Sequence, residues 1–330
     1  MSVRPVRLID FLRTEEASGA LLLGATVVAL VWANSPLSDT YDRLWEIGVG
    51  PLDLHHWVSE GLMTLFFFVV GLEIRREVAT GELRDPRKLA LPAVAALGGM
   101  IVPAGIYLLV NAGGPTASGF GVPVATDIAF ALGVLTLAAA RAPVSVRSFL
   151  LTLAIVDDIG AVVLIAAFYS GGIHPTVIAV ALGLLTPTAF AGILESKLHP
   201  WTGRLVVPIF ALANAGVTVD AAALGAAASS PVGLGVFLGL VVGKPIGVMG
   251  AVHAATKMGV ATLPSDVTPR LVAGVAALTG IGFTVSLFVS DLALTQRHTE
   301  AAKLAILTAS AVAGTVGFVI LRSGKGKRNA

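Results

Sequence analysis

The sequence contains no cysteine, which removes disulfides, thiolate metal centres and thioether-attached haem from consideration. Charge is also scarce: 13% of the 330 residues are Asp, Glu, Lys or Arg, against about 25% in soluble domains. The few histidines show no Asp/Glu spacing that suggests zinc, and His174 and His199 read as interface or helix-start residues. Strand-length alternation of polar and apolar residues is missing, which excludes an outer-membrane barrel. The start, with Arg4, Arg7, Asp10, Arg13, Glu15 and Glu16, has no short apolar leader with a cleavage site. Nothing in the chain calls for a cofactor or for nucleic acid. What remains is 55% hydrophobic, with several uncharged stretches longer than the roughly 20 residues a bilayer-crossing helix needs. The expectation is an all-α polytopic membrane protein embedded in the lipid bilayer.

Ten spans are expected, near residues 18–33, 58–74, 89–111, 116–140, 147–169, 174–193, 201–219, 231–253, 271–292 and 301–321, with a polar loop over 35–57. Basic residues orient them. With both termini in the cytoplasm, 18 of the 22 Lys and Arg fall on the inner side. Arg43, Arg297 and Lys303 fall outside, and Lys244 lies within a span. In that orientation spans three to five and eight to ten run with opposite polarity, as an inverted-topology repeat requires. The middle member of each triplet is interrupted at its centre, at Pro123–Asp127 and at Thr279–Thr284, where Gly280 and Gly282 loosen the helix. The chain accordingly divides into an N-terminal arm and panel helices (1–88), a first core repeat (89–170), further panel helices (171–230), a second, inverted repeat (231–322) and a basic tail (323–330).

Four ionisable residues lie deep in these spans: Asp127, Asp157, Asp158 and Lys244. Two adjacent aspartates at mid-helix cost about 5–7 kcal/mol before any partner is counted, so they mark a proton or cation site. They project about 100° apart. One can therefore pair with Lys244 while the other faces a cavity, an asymmetry that suits exchange of a cation against protons. The broken spans direct helix dipole ends of about half a charge into the membrane. Asp127 is placed to neutralise facing N-termini, and Lys244 facing C-termini. Glu73 and Glu77 share one face at the end of span two with Arg76 nearby; the spacing fits a solvated helix end as well as a cation-attracting, pH-reporting mouth. An intramembrane aspartyl protease also uses two buried aspartates, but it needs them on separate helices with a Gly-x-Gly-Asp pattern, and Gly280-Ile281-Gly282 is followed by Phe283.

Several runs resemble the signatures of the NhaA family of sodium/proton antiporters: Ala125–Gly133, Ala154–Ala161, Phe210–Val217, Gly243-Lys244-Pro245, Gly280–Thr284 and Val70–Glu77. The resemblance extends over nearly the whole chain. It implies a transporter rather than an enzyme, in a bacterial inner membrane, with two interrupted helices crossing at the midplane. Asp158 is similar to the main sodium-binding carboxylate of that family, with Asp157 as its neighbour in proton exchange and the salt-bridge partner of Lys244. Thr126 and Asp127 resemble the residues at the crossing, and Glu73, Arg76, Glu77 and Glu195 the cytoplasmic pH-sensing cluster. Two protons exchanged for one Na⁺ make transport electrogenic; Li⁺ is expected as a second substrate, and a homodimer is compatible with the resemblance. The chain departs from the family in having ten expected spans where twelve are usual, because span five leads through Ser170-Gly171-Gly172 into a run that resembles the eighth helix. Glu60 stands where an aspartate is usual, and Gly192 and Lys197 also depart. A non-transporting relative that keeps the fold but has lost exchange is the alternative reading.

Overall fold

In the computed structural model, residues 15–169 and 174–323 are described; Arg4, Arg7, Arg13, the Ser170-Gly171-Gly172 connection and the basic tail beyond Ser323 lie outside them. The elements in order are α1 (Glu15–Ala33), α2 (Ser38–Trp45), a hairpin of β1 (Gly48–Val49) and β2 (Leu52–Asp53), α3 (Leu54–Thr80) and α4 (Pro86–Val110). Next come α5 (Ala117–Val124, a tight 3₁₀ helix), α6 (Ile128–Ala138), α7 (Val144–Tyr169), α8 (Pro175–Leu185) and α9 (188–214). The last are α10 (Ala221–Ser229), α11 (Pro231–Lys257), α12 (Pro269–Leu278), α13 (Phe283–Ala293) and α14 (Gln296–Arg322).

Six of these helices are long and apolar enough to cross a membrane, with α5 and α6 taken together, and two bent pairs raise the number to eight. The remaining two expected spans are the short apolar α8 and the long α9, which carries Glu195, Lys197 and Arg204. Their boundary differs from the expectation of 174–193 and 201–219: the chain turns at Thr186-Pro187, where Pro187 caps the start of α9, because a residue before proline is driven out of the helical region. The expected loop 35–57 also holds structure, namely α2 and the hairpin, in which Gly48 pairs with Asp53 and Val49 with Leu52. Outward-facing side chains confirm the membrane reading: Leu109, Leu137 and Leu185 are 80%, 78% and 78% exposed, a surface that only lipid would cover without cost.

The ends of the helices follow from local chemistry. Asp85 accepts from the Arg87 amide at 3.0 Å ahead of Pro86, and Thr268 caps α12 ahead of Pro269, both pairing an N-cap with proline where its missing N–H costs nothing. Widened π turns at Thr202–Val206 and Gly239–Gly243 directly precede Val207-Pro208 and Lys244-Pro245. Proline within a helix clashes with the carbonyl four residues back, and the wider turn gives it room.

The two triplets pack in matching ways. Helix α4 lies against α7 as α11 lies against α14, and α5 meets α13. The axis of this arrangement is the contact of α4 with α11, where a Cβ on Gly98 would stand 2.3 Å from the Gly247 carbonyl oxygen and one on Gly247 2.1 Å from that of Gly98. Only two glycines let those backbones touch.

Candidate functional site

Both interruptions fall where the sequence predicts them. Residues Ala125–Asp127 are extended between α5 and α6, and Thr279–Gly282 separate α12 from α13, which bend by 44°. The breaks meet: the Asp127 amide donates to the Ile281 carbonyl at 2.7 Å. Gly280 is there because α11 passes close by; a Cβ on it would lie 2.5 Å from the Leu240 carbonyl oxygen. Gly282 abuts the Ser286 side chain.

Asp127 serves two helix starts at once. Its Oδ1 accepts from the Phe130 amide at 3.0 Å, capping α6, and its Oδ2 accepts from the Thr284 hydroxyl at 2.8 Å and amide at 3.3 Å, at the start of α13. Two positive dipole ends, each about half a charge, thus face one carboxylate. The expected role at facing N-termini matches this geometry. Thr284 is the partner that residue spacing did not single out; its place in the Gly280–Thr284 run was the available signal.

Asp157 and Lys244 are both fully buried, and Lys244 Nζ lies 2.5 Å from Asp157 Oδ2. The ammonium also donates to Thr126 Oγ1 at 2.9 Å. Thr126 Oγ1 stands 2.7 Å from Asp157 Oδ2 and 3.0 Å from the Thr279 carbonyl, and with a single proton it donates to one of them at a time. Lys244 is expected to pair with an aspartate of span five and to face helix C-termini. It holds Asp157, the strongest acceptor within its reach, and meets the C-terminal carbonyl of Thr279 through the Thr126 hydroxyl. Asp157 Oδ1 is buried and accepts nothing among the described residues.

Asp158 points elsewhere, as the 100° offset requires. Although 6% exposed, it lines a cavity of about 120 Å³ together with Thr126, Asp127, Glu73, Phe66 and Thr284. Among the described residues nothing donates a hydrogen bond to it. The cavity continues towards Ser18 and His199, neither of which was a candidate on sequence grounds. Three of the four members of the suspected mouth cluster are joined by ion pairs: Arg76 holds Glu77 Oε1 at 2.9 Å and Glu195 Oε1 at 3.0 Å. Glu195 is 6% exposed and its Oε2 has no partner among the described residues. The fourth member, Glu73, lines the same cavity as Asp158. Every candidate residue therefore belongs to one of two connected places, the crossing or the mouth.

The family described as Na⁺/H⁺ antiporter 1 matches the chain twice, over residues 9–185 and 170–321. The chain is 40% identical to Na⁺/H⁺ antiporter NhaA 2 of Sorangium cellulosum, covering 94% of this chain and 88% of that protein. It is 41% identical to NhaA 1 of Saccharopolyspora erythraea (99% and 94%) and 41% identical to NhaA of a Shewanella species (94% and 95%). These alignments run over 414, 389 and 372 positions, more than the 330 residues present. The two family matches overlap over residues 170–185, where the sequence passes from span five to the run resembling an eighth helix. With 40% identity along almost its whole length and both halves of the family pattern in place, the chain belongs to the Na⁺/H⁺ antiporter 1 family.

Proposed function

We propose that this protein is a secondary transporter of the bacterial inner membrane, with both termini cytoplasmic, that exports Na⁺ or Li⁺ in exchange for protons. Asp158 is the cation-carrying carboxylate. The observation that carries this reading is the contrast among three buried aspartates: Asp127 caps two helix starts, Asp157 is paired with Lys244, and Asp158 faces the cavity with no donor on it among the described residues. A small bare cation meets an uncompensated carboxylate there, with the Thr126 and Thr284 hydroxyls beside it as further oxygen ligands. Hard cations prefer such donors. Potassium, being larger, is accepted poorly.

Exchange follows from competition for the same oxygens. Protonation of Asp158 removes the charge that holds the cation. Protonation of Asp157 weakens its pairing with Lys244, so a second proton is taken up in the same cycle. Two protons against one Na⁺ move one net charge, which makes transport responsive to membrane potential by about 2.3 kcal/mol per 100 mV. The Arg76, Glu77, Glu195 and Glu73 cluster at the mouth supports pH regulation, since its protonation changes the charge a cation meets on entry.

The test is Na⁺-induced dequenching of an imposed ΔpH in everted vesicles, across alkaline pH, with Asp158→Asn alongside. Exchange by the parent that vanishes in the variant is the expected outcome. No exchange from well-inserted parent protein would overturn the activity and leave a fold-retaining relative that no longer transports.

A further inference from the structure

Far from Glu73, four side chains from four helices meet. Lys303, in the second turn of α14, holds Asp291 of α13 at 3.0 Å and donates to Asn214 Oδ1, at the end of α9, at 3.1 Å. The Asn214 amide nitrogen in turn donates to Ser59 Oγ of α3 at 3.1 Å and to the Phe210 carbonyl at 3.1 Å. Asn214 and Ser59 are buried, and the Lys303 and Asp291 side chains are 12% and 23% exposed. Ser59 and Glu73 lie fourteen residues apart on one helix, about 20 Å. The cluster thus sits at the end of the molecule opposite the mouth.

Between this cluster and the Asp158 cavity stands a plug of aromatic rings. Phe288 lies 5.4 Å from Phe67 and 6.5 Å from Phe210, centroid to centroid, and His174 packs on it at 6.1 Å. The three phenylalanines are at most 2% exposed. Their places along the chain are matched: Phe288 falls between Thr284, at the crossing, and Asp291. Phe210 falls between His199, on the cavity, and Asn214; Phe67 falls between Ser59 and Glu73. Each ring-bearing helix therefore carries one polar residue of the cluster on the far side of its ring and one cavity residue on the near side.

We infer that Lys303 is a positioning residue for exchange, a latch that ties α13 and α14 to α3 and α9 and holds the Phe67–Phe210–Phe288 plug shut, forming the outer gate. The inference rests on the proposed transport reading for its purpose, but its geometry is independent of it. Separating α13 from α9 and α3 parts the rings. The ion pair and the amide bridge are what resist that separation, and charge-assisted bonds at this depth resist more than neutral ones. Outward opening therefore requires Lys303 to release Asn214.

The chain has no cysteine, so a single Ser290→Cys reporter tests the gate directly. Ser290 is fully buried beside Asp291, and the substitution is nearly isosteric. A membrane-impermeant maleimide added to right-side-out membranes should label it slowly in the parent and about tenfold faster with Lys303→Gln, as the loss of one charge-assisted contact implies. Lys303→Arg should keep the slow rate. Since Lys303→Gln leaves Asp291 without its counter-charge, the Lys303→Gln/Asp291→Asn pair is measured too, and should label as fast. Equal rates in the parent and both glutamine variants would overturn the latch. So would fast labelling of Lys303→Arg, or failure of the double variant to insert, which would make the cluster a brace for folding. Labelling needs no transport: absent exchange with Lys303-dependent labelling sinks the transport reading and leaves the gate standing.

Discussion

The crossing and the mouth hold similar residues, carboxylates beside a single cation, under opposite conditions. At the crossing Lys244 and Asp157 are sealed from solvent, and their 2.5 Å contact is joined by a threonine hydroxyl and a helix-end carbonyl. At the mouth the Arg76 side chain is 44% exposed, although it holds two glutamates at 2.9 and 3.0 Å. Distance alone would rank the two as near equals. Burial separates them, because a charge stripped of water depends wholly on its partner whereas an exposed one exchanges a partner for solvent. Sealed charges fix the architecture; half-wet ones are free to respond to pH and salt.

The largest expected effect is at the sealed pair. Lys244→Ala should destabilise the detergent-solubilised protein by about 3–5 kcal/mol, the cost of a buried carboxylate left unpaired, as read in thermal melts. Adding Asp157→Asn should recover most of that loss. A single variant that melts with the parent would erase the difference between sealed and half-wet charges. Next is Asp158→Asn, which should abolish Na⁺-dependent exchange while shifting stability little, since no hydrogen bond on Asp158 is lost; a large drop in melting temperature would show an unrecognised structural role.

Thr126→Val is intermediate. It removes the hydroxyl shared by Lys244, Asp157 and Thr279, for a loss of about 1–3 kcal/mol, and Thr126→Ser should restore it. The smallest effect on stability belongs to Arg76→Gln, within about 1 kcal/mol and reduced further in high salt. Its signature should be a pH profile of exchange moved to the alkaline side, because burial already raises the Glu195 carboxyl and without the Arg76 guanidinium it ionises less readily still. An unmoved profile would remove the mouth from regulation.

Much of the crossing was legible in the sequence, because what identifies it is local. Pro123 ahead of Asp127, and two glycines between Thr279 and Thr284, weaken a helix locally; adjacent aspartates on a helix must diverge by about 100°. The choice of Lys244 as counter-charge followed from there being no other cation deep in the spans. What the residues did not announce was long-range. Asp127 gains Thr284 from a helix more than 150 residues away, and Thr126 gains the Thr279 carbonyl from the same region. Neither pairing has a local signature. The order within 35–57 was also hidden, because an eight-residue helix and a two-residue hairpin are shorter than the window over which periodicity is read. The turn at Thr186-Pro187 has no strong sequence signal beyond the proline, since apolar residues continue on both sides of it.

The double cap on Asp127 has one more consequence. One full negative charge faces two half-positive helix ends, so the crossing contributes almost no net monopole on that side, and the Lys244–Asp157 pair contributes none on the other. The charge at the cavity wall is then left to Asp158 and to Glu73, which lies on the same cavity. With the rest of the crossing electrically quiet, a charge entering the cavity is felt chiefly by those two carboxylates. In the proposed exchange, Na⁺ and the protons that replace it compete against a background that their arrival does not have to rearrange.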